Sequence, residues 1–263
     1  MTTIQHGIIA PAAQAAAVRA AGADYLEATI VGSLLEEGAG GTWHRAAEVP
    51  EFAPAPSFAI LFPATVRISD PSVPLAETEE HLRTALAALA PHARPGATIV
   101  LGSGAARRLP EGVERAAGEE RLAATVRLAR DLAAERGLEV LLEPLHRGET
   151  DLVTTIGEAV AFLDAHDLAE VRVVADLFHV MLEEEPFAVV REHAGRVGHA
   201  HVADTDRRPP GQGDWPLAGF LTALRDGGYG GHVSIECFIW QDIAAEGRDA
   251  LAVLRAADPA TAA

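Results

Sequence analysis

The chain predicts an α/β fold, a single (β/α)8 TIM barrel over residues 1–263. Three observations carry this. A length of 263 residues suits one eight-fold barrel. Short runs rich in Val, Ile and Leu alternate with helix-length segments, the pattern of a parallel sheet crossed by helices. In the second half, four such runs close on Glu143 (VLLEPLHRGE), Asp176 (VVADLFH), His201 (GHAHVAD) and Glu236 (VSIECF). Side chains at the strand ends of a parallel barrel share its open face.

Taken in order, strands are expected at His6–Ala10, Tyr25–Thr29, Ser57–Phe62, Thr98–Leu101, Leu138–Glu143, Val171–Asp176, Val197–Val202 and His232–Glu236. Leu82, Ala85, Leu86 and Leu89 follow the three/four spacing of an amphipathic helix, as do Leu122, Val126, Ala129 and Ala133. Gly137 stands where glycine ends a helix. Thr155 with Glu158 reads as a capping box opening a helix over Ile156–Leu163. Gly32–Pro56, rich in Gly and Pro and carrying Trp43 and His44, reads as a lid or loop after the second strand. Asp204–Pro216 (DTDRRPPGQGDWP) reads as a polar loop after the seventh, with Trp215 as its anchor. Both loops belong on the face that carries the active site.

The bulk composition excludes several classes. A net charge of −17 opposes nucleic acid or an anionic membrane as a main partner. A single cysteine, Cys237, leaves no disulfide framework and no cysteine zinc cluster. All 21 basic residues are arginine, so no lysine Schiff base can form. The N-terminal MTTIQHGIIAPAAQ lacks a basic segment followed by an apolar stretch, and no apolar run is long enough to span a membrane. A cytoplasmic location is the expectation.

Strand parity strengthens the constellation. Leu141 with Glu143, His199 with His201, and Ser234 with Glu236 each share one face, which turns Cys237 outward. Alone, each residue has a plainer reading: a strand-end carboxylate for Glu143, a helix cap for Asp176, a hydrogen-bonded core histidine for His201. Together they converge on the axis, and a lone buried Glu236 would be expensive without a partner. Carboxylates with one imidazole suit a hard divalent cation better than a structural zinc site. His199, one layer below His201, reads as core or as support for it. His6, Glu27, Trp43 and His44 are candidates for the pocket wall, with core or lid packing as the alternative. The glycines of GSG, Gly102–Gly104, could approach an anion or form a tight turn.

From about Val100 to Phe238 the sequence resembles the xylose-isomerase-like barrels, in the branch holding the ketose 3-epimerases and hydroxypyruvate isomerase. The motifs are GSGAARRLPEG (Gly102–Gly112), EPLHRGET (Glu143–Thr150), DLFH (Asp176–His179), HVADTDRRPPGQG (His201–Gly213) and SIE (Ser234–Glu236). His146 stands where that family commonly has Asn. The resemblance implies one divalent ion, Mn²⁺ foremost with Mg²⁺ or Co²⁺ as alternatives, on Glu143, Asp176, His201 and Glu236. It implies that Glu143 and Glu236 move protons on opposite faces of a sugar, and that Glu149, His179 and Arg207 contact its oxygens. Oligomers are common in the superfamily, so a homo-oligomer is a further expectation.

The expected activity is thus a divalent-metal-dependent isomerase or epimerase of a small sugar, sugar acid or related ketone, a step of carbohydrate metabolism. It would proceed by proton abstraction through a metal-stabilised enediolate. A lyase, of dehydratase or C-glycoside-cleaving type, could share the same first step. A phosphodiesterase of the endonuclease IV kind would need more ligands on the early strands and a basic groove. A non-catalytic binding barrel is disfavoured by the complete ligand set.

Overall fold

Eight parallel strands close on themselves in this computed structural model, which describes residues 4–261. The barrel strands are β1 (His6–Ala10), β2 (Tyr25–Thr29), β5 (Ala55–Ala59), β6 (Ala93–Leu101), β7 (Glu139–Leu142), β8 (Arg172–Asp176), β9 (Val197–Val202) and β10 (Val233–Ile235). β10 pairs back to β1 and completes the ring. The helices are α1 (Ala15–Ala21), α2 (Leu75–Leu89), α3 (Arg115–Ala134), α4 (Ile156–Ala165), α5 (Leu177–Leu182), α6 (Phe187–His193), α7 (Leu217–Asp226) and α8 (Ile243–Ala257). Their apolar stripes pack on the outer face of the ring, with Leu82, Leu86, Leu122, Val126, Phe220 and Leu251 among the buried side chains. No helix among the described residues is long and apolar enough to cross a membrane.

One crossover departs from the simple repeat. Between β2 and β5 a hairpin of β3 (Leu35–Glu37) and β4 (Trp43–Arg45) takes the place of a helix. Its Gly-rich turn, with Gly40 and Gly41 at positive φ, and the prolines after it leave no helical period. Thus the segment read as a lid or loop has structure of its own.

Expected boundaries agree at β1, β2 and β9 and shift elsewhere. The run read as Ser57–Phe62 is a strand at Ala55–Ala59, because Ile60 turns to φ 58° and leaves the sheet. Gly137, at φ 66°, follows the end of α3 as expected. Thr155 caps α4 by accepting from Glu158 N at 3.1 Å. The capping box is only half formed, since Glu158 Oε2 accepts from Thr154 N instead of reaching back to Thr155.

The interior of the ring has two characters. One side is small and apolar: Val100, Leu141 and Val174 form their own buried cluster. The other side is polar: Glu27, Ser57, His199, His201 and Ser234 are buried there and hydrogen-bonded to one another. The polar half lies beneath the strand ends that carry the site.

Candidate active site

Register brings the predicted residues together. Asp176 on β8 is the lateral partner of His201 on β9, and His201 is the lateral partner of Ser234 on β10. Glu236 follows β10 and Glu143 follows β7, so both carboxylates hang over the same mouth. Glu143, Asp176, His201 and Glu236 each offer a ligand atom, and these atoms lie within 4.8 Å of one another. His201 Nδ1 is 3.2 Å from Glu143 Oε1 and 3.4 Å from Glu236 Oε2.

Asp176 does two things at once. Its Oδ1 accepts from Phe178 N at 2.9 Å and caps α5. That bond holds the carboxylate so that Oδ2, buried and without a hydrogen bond among the described residues, faces the cluster. Glu236 Oε2 likewise accepts no hydrogen bond from the described residues; Arg207 Nη2 lies 2.8 Å away as an ion pair but is misaligned for one.

Burial, and then the Glu236 charge, raise Asp176 well above the ordinary carboxylate range. Burial also raises Glu143, against the hydrogen bond from His201. Burial would raise Glu236 too, but Arg207 and His201 hold it well below the ordinary value. Three buried carboxylates crowded together, two with oxygens unsatisfied among the described residues, are a donor set that fits a hard divalent cation.

Gly102 makes room for this arrangement. A Cβ there would meet Glu143 Oε2 at 2.1 Å. The GSG glycines therefore admit a carboxylate to the mouth. An anion-binding role finds no support in that contact.

Arg207, Glu149 and His179 surround the cluster. The backbone takes φ 58° at both Asp206 and Arg207, an uncommon pair for non-glycine residues. This kink turns the Arg207 side chain inward, leaving it 16% exposed. Its guanidinium lies 4.5 Å from the Phe178 ring centroid and 5.0 Å from that of Phe238. It also reaches Glu149 Oε1 at 3.2 Å. Asp204 sets this loop: its carboxylate accepts from Thr205 N, Gly211 N and Trp215 N at 2.9–3.0 Å.

His179 is buried, and burial followed by the Arg207 charge holds its pKa well below the ordinary histidine value. Its Nδ1 accepts from His146 N at 3.1 Å, and its Nε2 has no hydrogen-bond partner among the described residues. A pocket of about 220 Å³ opens beside these groups, lined by Glu143, Glu149, Arg207 and Glu236 with Ile60, Phe62, Leu145 and Phe238 as apolar wall. It is smaller than the roughly 300 Å³ at which typical ligand pockets begin, which suits a small molecule.

The early-strand candidates lie elsewhere. Glu27 sits inside the barrel, under the cluster, with its Oε1 3.2 Å from His201 Nε2. His6 pairs with Asp258 at 3.1 Å on the outer side of the ring. Trp43 lines a separate cleft against α2, and His44 is exposed on the hairpin. Arg107 went unremarked in the sequence. Fully buried, it donates to the carbonyls of Gly102, Glu143, Leu152 and Val153 and frames the backbone at Glu143. Only its neighbourhood in GSGAARR hinted at a role.

The sequence profile described as Xylose isomerase-like TIM barrel matches residues 15–256. The chain belongs to the xylose isomerase-like TIM barrel family. The match is wider than the motif-bearing stretch from Val100 to Phe238. Within this family the chain is 33% identical over 133 residues to the 3-dehydro-D-guloside 4-epimerase of Escherichia coli (strain K12), covering 50% of this chain and 51% of that protein. It is 36% identical over 110 residues to the D-psicose 3-epimerase of Agrobacterium fabrum, covering 41% of this chain and 38% of that one. The chain thus spans about half or less of the length of these curated relatives. Among solved structures, the D-allulose 3-epimerase from Methylomonas sp. in complex with D-allulose superposes with a TM-score of 0.76 at 21% identity, covering 97% of this chain and 98% of that one. At that identity the likeness is one of fold.

Proposed function

We propose that this protein is a divalent-metal-dependent epimerase or isomerase of a small sugar, sugar acid or related ketone. The observation that carries the reading is the convergence of Glu143, Asp176, His201 and Glu236 at one mouth, with two buried carboxylate oxygens left without hydrogen bonds among the described residues. These four residues would hold the cation. When bound, the cation would supply charge stabilisation for the oxyanion that develops as a proton leaves carbon beside a carbonyl.

The chain's own groups do the rest. Glu143 and Glu236 both border the pocket, one raised by burial and the other held ionised by Arg207. Two carboxylates pushed apart in this way suit a proton acceptor and a proton donor. Removal on one face and return on the other yields an epimer. Return to the neighbouring carbon yields an isomer. Arg207 and the Nε2–H of His179 would fix substrate oxygens, a reading supported by the Arg207–Glu149 contact and by His146 N occupying His179 Nδ1. Phe62, Leu145 and Phe238 limit water at the reacting carbon. The relatives named above are epimerases, so the lyase alternative gains nothing from them.

The test is a panel of free ketoses and keto-glycosides, D-psicose, L-ribulose and a 3-keto-glucoside among them, incubated with Mn²⁺-loaded protein in D₂O. The expected result is an epimer or isomer carrying deuterium at the reacting carbon by NMR. Product that forms without deuterium, or no turnover of any member by Mn²⁺-saturated protein, sinks the reading.

A further inference from the structure

The Glu27 carboxylate is fully buried on the barrel axis, one layer beneath the cluster. Its two oxygens receive four donors. Oε1 accepts from Ser57 Oγ at 2.9 Å and faces His201 Nε2 at 3.2 Å. Oε2 accepts from Ser234 Oγ and faces His199 Nε2 at 2.8 Å.

The hydroxyls around it form a directed network. Ser234 gives its proton to Glu27, so at the 2.7 Å contact between Tyr25 and Ser234 the tyrosine must donate. Ser57 also gives its proton to Glu27, and Thr98 donates to Ser57 at 2.9 Å. Each hydroxyl here donates either to Glu27 or to a serine that donates to Glu27, so the carboxylate is left with acceptor roles only.

That direction decides the histidine. A carboxylate whose oxygens already accept from hydroxyls can meet His201 Nε2 only if that nitrogen carries hydrogen. A ring that ligates a cation must be neutral, so with hydrogen kept on Nε2 its lone pair lies on Nδ1, the atom that in the cation-free site donates to Glu143 and faces Glu236. A carboxylate behind a ligating imidazole both orients the ring and strengthens it as a ligand.

We infer that Glu27 is a positioning residue that holds His201 with Nε2–H downward and Nδ1 presented to the cation. This inference rests on the proposed cation site. It also gives the polar half of the barrel interior a purpose, since Tyr25, Ser57, Thr98, His199 and Ser234 orient Glu27 in turn.

The experiment titrates Mn²⁺ into metal-free wild type and Glu27→Gln by calorimetry, with circular dichroism to check the fold. A near-isosteric amide has one acceptor where the carboxylate has two, so it cannot serve all four donors. Affinity is expected to fall 10- to 100-fold. The second readout is ¹⁵N NMR of His201 in ¹¹³Cd²⁺-loaded protein. Wild type should show cadmium coupling at Nδ1 with Nε2 protonated, a pattern that a merely structural role for Glu27 would not require. If Glu27→Gln does not fold, Glu27→Asp keeps the charge and withdraws it by one methylene, and the same direction of loss is expected. Wild-type Mn²⁺ affinity in a folded variant, or cadmium coupling at Nε2 in wild type, overturns the inference while leaving the cation site standing. Failure of wild type itself to bind Mn²⁺ overturns the site reading and this inference with it.

Discussion

His179 Nε2 stands 3.6 Å from Asp176 Oδ2, and neither buried atom has a hydrogen-bond partner among the described residues. A donor and an acceptor that face each other at that distance, both unsatisfied, mark space for a third group. The cap that Asp176 gives to Phe178 N holds the acceptor in place. The amide of His146 fixes the donor by occupying His179 Nδ1.

Asp176→Asn should therefore separate metal affinity from stability. Mn²⁺ affinity should fall at least ~10-fold, because an amide oxygen replaces a charged ligand. The metal-free protein should not suffer. Burial and the Glu236 charge raise the folded-state pKa of Asp176, so its contribution to stability is present at low pH and lost as pH rises through the raised value. Near neutral pH, losing that charge should leave Tm unchanged or raise it by ~2–4 °C, about 1 kcal/mol. A clear fall in metal-free Tm would show that the charge is not under strain.

Arg207→Ala should reduce turnover on an identified substrate by ~100-fold while Mn²⁺ remains bound. Arg208→Ala should change it less than about two-fold. Arg207 is wedged between Phe178 and Phe238 over the carboxylates, whereas Arg208 is exposed and pairs with Asp206. Equal losses in the two variants would place the loop differently from the structure.

Asp258→Asn should cost about 3 kcal/mol, because it leaves Arg225 and His6 without their buried carboxylate. Burial opposes the Asp258 charge, but the bonds from His6 and Arg225 hold its folded-state pKa well below the ordinary value. A depressed carboxylate stabilises above its unfolded pKa, about 3.9, and loses that contribution as pH falls. Denaturant titrations of wild type and variant should thus differ at pH 7 and converge as pH drops below about 4. A gap as wide at pH 2 as at pH 7 would assign the loss to packing.

Arg107→Lys should cost about 2–4 kcal/mol and loosen the backbone around Glu143. The planar fork of Arg107 serves four carbonyls from two loops, and burial pushes its guanidinium down to about 10. A single ammonium cannot span those acceptors. Val153, one of them, sits at φ 62° and depends on the loop being held. Hydrogen exchange at residues 102–107 and 143–153 should rise in the variant. Unchanged protection there would remove Arg107 from this role.

Local chemistry made much of this legible in the sequence itself. The eight barrel strands showed as β-branched runs, and parity along Leu141–Glu143, His199–His201 and Ser234–Glu236 assigned inward faces, because a strand repeats every two residues. Family motifs singled out Glu143, Asp176, His201 and Glu236, and the barrel ring then brought them within reach of one another. What only the tertiary structure decided depends on contacts between distant segments. Glu27 has no local mark that separates it from a lining carboxylate; its partners stand 30 to 207 positions away in the chain. The carbonyls gathered by Arg107 are likewise set by contacts between distant segments. The reason is physical: strand and helix periods arise from neighbouring residues, whereas a buried polar group's orientation is set by whichever donors and acceptors the fold places around it.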